Sequence, residues 1–349
     1  MSASQGAKPG LKLDGKYETE KKIGAGCFGE VWLGKSLGTD ERVAVKLESV
    51  DARGPQLEHE VAVLKLLSFP QRPQGVAELL AHGKESRHIF MVMELLGKSL
   101  EDRMSQCPGR FNAQTAVLVA DQLLHRIEYL HSKCIVHRDI KPENFMFGTG
   151  NKVGHIYIID FGLSKRYWVN QHAKFRTGLS LTGTARYASI NAHEGNEQSR
   201  RDDLEAIGHM LFYFIRGALP WSGLAAQTQE EKYRKICQKK KDTTLDSLCQ
   251  GYPDAFKHYL RQARNLDFKA RPDYKGMRKL FQDVREDLGD FKDHDFEWFK
   301  DRSLKDLVPL EYSNQPLKQP DDEEKAGQSE GGGGGLFACL CGTKSKVRD

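Results

Sequence analysis

The chain of 349 residues is 39% hydrophobic and 29% charged, the balance of a soluble globular protein with apolar mass for a core. No apolar run approaches the roughly 18 residues of a membrane helix, and MSASQGAKPG at the start lacks an apolar h-region, which argues against a transmembrane or secreted protein. Lys plus Arg number 53 and Asp plus Glu 48, an excess too mild to call for nucleic acid but compatible with acidic or phosphorylated partners.

Ser2 excludes N-myristoylation. The seven cysteines are odd in number and mostly scattered, which fits free thiols in a reducing compartment. The length allows one large or two modest domains.

Residues 1–16 are polar, with Gly and Pro, and read as a loose arm. From Tyr17 to about Leu96 short strands dominate: EVWLG (30–34), RVAVKLE (42–48) and HIFMVMEL (88–95). A helical pattern, Gln56–Leu67, interrupts them. From Leu100 to about Trp298 helices take over, with apolar period near 3.6 over Ala113–Ser132 and Asp203–Gly217 and further helices over Gln227–Lys240 and Pro253–Asn265. The order is α+β, a small β-rich part before a larger helical part. Residues 301–349 are acidic and glycine-rich and read as a flexible tether ending in LFACLCG.

Gly24-Ala-Gly26-Cys-Phe-Gly29 has the form GxGxxG, shared by two kinds of nucleotide site. In a dinucleotide fold the glycines open a helix, and an acid about 20 residues on binds ribose, a place Glu48 would fill. Here Glu30-Val-Trp-Leu follows and alternates like a strand, so strand–turn–strand is expected and that reading is rejected. In Val43-Ala-Val-Lys46, Val43 and Val45 share one face and Ala44 and Lys46 the other. Lys46 can neutralise phosphates, and Glu60 on the helix after it can hold the ammonium.

His137-Arg-Asp-Ile-Lys-Pro-Glu-Asn144 is the sharpest motif. Asp139 can accept a hydroxyl proton, Lys141 can neutralise a transferring phosphoryl group, and Asn144 offers a neutral oxygen to a cation. Asp160-Phe-Gly162 follows the apolar strand HIYIID, and a carboxylate there suits Mg²⁺. Singly these are caps, turns or surface charges; jointly, in this order, they are specific.

The residues from the glycine loop through Asp160 resemble the protein kinase family, over roughly residues 17–300. The resemblance implies a bilobal fold, with an N-lobe of about 17–96, a C-lobe of about 97–300 and ATP with Mg²⁺ between them. Asp139 would be the base, Asn144 and Asp160 the metal ligands, and Lys46 with Glu60 the phosphate anchor. ATP would also touch Ile23, Gly24, Ala25, Gly26, Cys27, Phe28, Gly29, Glu30, Val31, Ala44, Met146 and Ile159. Met93 would flank the adenine, and Glu94 and Leu96 would offer hinge backbone. Because Lys46, Glu60, Asp139, Asn144 and Asp160 are all present, a pseudokinase has little support.

LLGKSLED (95–102), HRDIKPENFMFG (137–148), LTGTARYASINAH (181–193) and QSRRDDLEAIGHMLFYF (198–214) are similar to the casein kinase 1 family. That resemblance implies a Ser/Thr kinase acting on proteins with acidic or already phosphorylated contexts; separately, the free thiols fit a cytoplasmic location, and a monomer is expected. Arg138, Lys165, Arg186 and Lys232 match the family's phosphate-recognising patch. Ala225–Glu231, neutral then acidic, departs from the basic loop of relatives, so a weaker priming advantage is expected. Asn191 stands where most kinases have glutamate and cannot pair with Arg271, so the activation segment must be tied to the C-lobe otherwise. Asp203 would brace the HRD loop. Ser180, Thr182 and Thr184 admit a phosphorylation switch, against which the family resemblance argues.

Two further expectations concern the tail. Cys339 and Cys341, with Lys344, Lys346 and Arg348 after them, would meet the two-signal requirement for membrane anchoring if acylated; the alternative is an unmodified apolar end. The acidic run Asp321–Glu324 could fold onto the basic patch as an autoinhibitory segment.

Overall fold

The computed structural model describes residues 7–26, 29–52, 54–289, 291–299, 306–312 and 317–322. Alternating burial builds the first half. β1 (Lys12–Leu13), β2 (Tyr17–Gly26), β3 (Gly29–Ser36), β4 (Arg42–Ser49), β5 (Leu79–Glu85) and β6 (His88–Glu94) form an antiparallel sheet in the order β1-β2-β3-β4-β6-β5. Leu13, Trp32, Val43, Val45, Leu47, Phe90 and Val92 make its own small core. α1 (Leu57–Leu67) crosses between β4 and β5, and its apolar Val61, Leu64 and Leu67 join the main core.

Part of the arm expected at 1–16 is therefore structural. Leu13 is fully buried, β1 pairs with β2, and Thr19 ties the arm by accepting from the Leu11 amide and donating to the Lys8 carbonyl. The polar composition concealed a strand of two residues, too short to show a period.

The second half is helical, built on α2 (Leu100–Gln106), α3 (Ala113–Ser132), α4 (Ile190–His193), α5 (Arg200–Arg216), α6 (Gln229–Asp242), α7 (Leu245–Cys249), α8 (Asp254–Arg264) and α9 (Tyr274–Leu288). α3 starts where Asn112 accepts from the Thr115 amide, and α5 ends where Gly217 takes a left-handed φ of 83°. α3 and α5 bury most of their residues and are the axis of this lobe, with α8 and α9 packed around them. Short strands β7 (Ile135–Val136), β8 (Phe145–Phe147), β9 (Ile156–Ile158), β10 (Lys165–Arg166), β11 (Trp168–Val169) and β12 (Gln171–His172) pin the loops at its upper surface. The expected α+β order and two-lobed fold are present. Among the described residues no helix is long and apolar enough to cross a membrane.

Two stretches of the expected tether lie against the second lobe. Val308 donates its amide to the Asn151 carbonyl, and Tyr312 sits under the Arg278 guanidinium at 4.7 Å. Asp321 pairs with Arg200, and Asp322 with Arg271. The first two residues of the acidic run thus meet Arg200 and Arg271 rather than the matched basic patch; Glu323 and Glu324 lie outside the described residues.

Candidate active site

The alternation of β4 puts Val43, Val45 and Leu47 into the sheet core and leaves Ala44 and Lys46 on the opposite face, as expected. Lys46 Nζ donates to Glu60 Oε2 at 2.5 Å and to Asp160 Oδ1 at 3.0 Å. Burial opposes the ammonium, but Glu60 and Asp160 outweigh it and raise its pKa above the ordinary lysine range. Glu48 accepts from the Gln56 and Leu57 amides and so satisfies the start of α1. That capping role removes it as a ribose ligand.

β2 and β3 form the expected strand–glycine turn–strand, with Gly26 opposite Gly29. A Cβ on Gly29 would lie 2.2 Å from the Leu47 carbonyl oxygen, so only glycine lets β3 approach β4 this closely. Gly24, Ala25, Gly26 and Val31 line this hairpin, and Ile23 is exposed. Glu30 is held by Lys22 and the Trp32 indole. Leu96, Met93, Met146 and Ile159 gather with Ala77 and Tyr157 in one apolar cluster at the lobe junction. Ala44 is the strand partner of Met93. The Glu94 carboxylate turns to Arg72, leaving only its backbone for the hinge role. Cys27 and Phe28 lie outside the described residues.

The HRD loop hangs from Asp203 on α5. Its carboxylate accepts from the His137 amide at 2.7 Å and the Arg138 amide at 2.9 Å, and contacts His131 Nε2 at 2.9 Å. Burial raises an acid, but His131, His137 and the loop amides hold Asp203 below the usual carboxylate range. This network holds Arg138 at a φ of 67°, a conformation a side chain rarely adopts.

Both oxygens of Asp139 are engaged: Lys141 Nζ donates to Oδ2 at 2.6 Å, and the Thr184 hydroxyl to Oδ1 at 2.8 Å. Thr184 was readable only as a candidate phosphorylation site; its position against Asp139 makes it part of the site. Gly183 beside it has a φ of 94°, and a Cβ there would meet the Arg138 carbonyl oxygen at 2.2 Å. That contact explains why glycine precedes Thr184.

Asn144 Nδ2 donates to the Asp139 carbonyl at 2.9 Å, which fixes the amide and leaves its oxygen as a donor for a cation. Asp160 keeps Oδ2 beyond the Lys46 contact. Burial pushes its carboxyl up, but the Lys46 ammonium holds it below the ordinary range, ionised at neutral pH. One neutral and one charged oxygen fit Mg²⁺, which completes its octahedron with phosphate and water. No cluster of three metal-binding side chains occurs among the described residues.

The missing Asn191–Arg271 tie is replaced from α6. Lys240, fully buried, donates to the Ala185 and Ala188 carbonyls, while Ser189 donates to Asp202 at 2.6 Å and caps α4. Nothing in the local pattern of QKKKD singles out Lys240 among its neighbours; only packing does.

The four matched basic residues divide. Lys165 pairs with buried Glu197 at 2.7 Å, and Arg176, absent from the sequence reading, joins the same carboxylate. Arg138 borders this group, its Nε donating to the Leu163 carbonyl. Arg186 instead lies over the Tyr187 and Tyr213 rings, and Lys232 is exposed on α6. Glu231 accepts from Lys235 and the Gln227 amide, so the acidic end of the 225–231 loop is turned inward on its own helix. Cys339 and Cys341 lie outside the described residues.

A comparison with protein-family models agrees with this geometry: the one described as protein kinase domain matches residues 17–282.

Proposed function

The chain belongs to the protein kinase family, and from that membership we propose a Ser/Thr kinase of casein kinase 1 type that favours acidic or phosphorylated substrates. Family membership implies protein substrates and ATP as phosphoryl donor. The observation that carries the reading is Asp139, ionisable and oriented by Lys141 and Thr184. In this reading Asp139 accepts the proton of the attacking hydroxyl as its oxygen bonds to the γ-phosphorus and the bond from that phosphorus to the β–γ bridging oxygen breaks, releasing ADP. Lys141 neutralises charge on the transferring group, and Lys46, steadied by Glu60, holds the donor phosphates. Asn144 and Asp160 would hold Mg²⁺, which when bound offsets phosphate charge. The GxGxxG hairpin covers the phosphates, and the Met93–Leu96 cluster receives the base.

Substrate preference rests on three cations around the single carboxylate of Glu197: Lys165 and Arg176 pair with it, and Arg138 borders them within its field. The surplus favours a phosphate, but part of each charge is already spent, so priming helps modestly. Membrane attachment through acylated Cys339 and Cys341 is part of the same proposal, supported by their apolar setting and basic flank; a chain stopped before Leu336 should leave the membrane fraction.

The test is transfer from Mg·ATP to two matched peptides, one with phosphoserine three residues before the target serine and one with plain serine, with Asp160→Asn as blank. Faster transfer to the primed peptide supports the reading. Equal transfer retires the priming claim. No transfer above the blank overturns the active kinase in favour of a pseudokinase.

A further inference from the structure

Arg200 opens α5 and is fully buried. A guanidinium without a counter-ion is among the costliest groups to bury. Its partner comes from 121 residues downstream: Nη1 and Nη2 donate to Asp321 Oδ1 and Oδ2 at 2.6 and 2.7 Å. The bidentate fork fixes direction as well as charge. Nη2 also donates to the Lys269 carbonyl at 2.9 Å, and the guanidinium stacks on the Tyr167 ring at 4.9 Å.

One of these partners, Tyr167, leads on to the HRD loop. The Tyr167 hydroxyl donates to the His131 carbonyl at 2.8 Å, and the His131 ring reaches Asp203. Asp203 takes the two loop amides, and it lies one helical turn beyond Arg200 on α5. Asp321 therefore sits at the far end of a continuous packed chain that ends on the backbone carrying Asp139.

We infer that Asp321 is a positioning residue for phosphoryl transfer, and that the functional unit extends past the matched kinase domain to residue 322. By neutralising Arg200 it fixes the start of α5 and, through Tyr167, His131 and Asp203, the catalytic loop. Asp322, paired with Arg271, holds the same segment down. The segment thus acts on the rate of transfer, without touching substrate.

The test uses the full chain, assayed on whichever hydroxyl peptide the wild type phosphorylates. Asp321→Ala should lower kcat about tenfold, within the range of couplings carried through packed networks, while KM for Mg·ATP changes little. Formate, which can occupy the vacated carboxylate position, should restore part of that rate. A chain ending after residue 322 should keep the wild-type kcat, and one ending after residue 305 should match Asp321→Ala or fall lower. If Asp321→Ala does not fold, Asp321→Asn removes the charge while keeping the shape, and its kcat decides. A lowered thermal midpoint with unchanged kcat at a temperature where the variant is folded would make the contact a fastening alone and overturn the inference. Failure of formate to raise the rate would also count against it.

Discussion

The ammonium of Lys240 donates to the Ala188 carbonyl at 2.5 Å, joining α6 to the end of the activation segment. The same group reaches Ala185 at 2.9 Å and lies over the Trp221 ring at 5.5 Å. Lys240→Met leaves the Ala188 carbonyl without this donor, at about 1–3 kcal/mol for a buried acceptor, while the Ala185 carbonyl keeps His193 Nε2 at 3.0 Å. The expected outcome is a lower thermal midpoint and a raised KM for peptide, with KM for ATP little changed, because the loosened stretch adjoins Thr184 rather than the glycine hairpin. Wild-type peptide KM in a folded Lys240→Met protein would show that Ser189 and Asp202 suffice as the tie.

Thr184 offers a sharper test of the base. Its hydrogen bond goes to a carboxylate, a class worth about 1.5–3 kcal/mol, so Thr184→Val should reduce kcat by roughly 10- to 100-fold. Thr184→Ser keeps the hydroxyl and should recover most of the rate. Equal loss in both variants would assign the effect to packing instead of to the bond.

Asp139 and Asp160 separate by what they cost. Asp139→Asn removes the proton acceptor, and kcat should fall by about 10²–10⁴-fold with nucleotide affinity retained. Asp160→Asn removes the charged oxygen proposed for Mg²⁺ and the second partner of Lys46. It should abolish the Mg²⁺ dependence of nucleotide binding, measured by calorimetry with and without the ion. Retained Mg²⁺ dependence would point to other ligands.

Much of this site was legible because its residues sit in short linear motifs. Lys46, Glu60, Asp139, Asn144 and Asp160 each follow from spacing and alternation, and α3 begins and ends at the expected residues. What escaped depends on contacts between distant segments. Glu197 lies 32 residues from Lys165, and Asp321 lies 121 from Arg200. α9 is a different case: Tyr274, Met277 and Phe281 recur at helical spacing after the Asp273 cap, so its pattern is local and carried by the sequence itself. The 317–322 segment misled because its composition is that of a tether, while buried Arg200 and its neighbour Arg271 supply the attraction that composition cannot show.

Acid should weaken the fold in a defined window. Burial, aided by Arg126, lowers the pKa of His125 to about 3, and burial with Lys240 lowers that of His193 to about 4. In the unfolded chain both titrate near about 6.5. Between those values the unfolded chain binds protons that the folded chain refuses, so stability rises with pH there. The contribution is complete above about pH 6.5 and is lost as pH falls toward the folded values, at up to about 1.4 kcal/mol per pH unit for each histidine. Asp203 and Glu197, whose partners hold them below the usual carboxylate range, lose stability only in stronger acid. Asp202, which burial pushes up to about 7, opposes the slope inside this window, but His131, His155, His172 and His209, lowered by burial, act with His125 and His193 and outnumber it. Urea midpoints should therefore drop between about pH 7 and about pH 5. His125→Gln cannot take up the proton and should flatten that slope. An unchanged slope in this variant would remove His125 as its source.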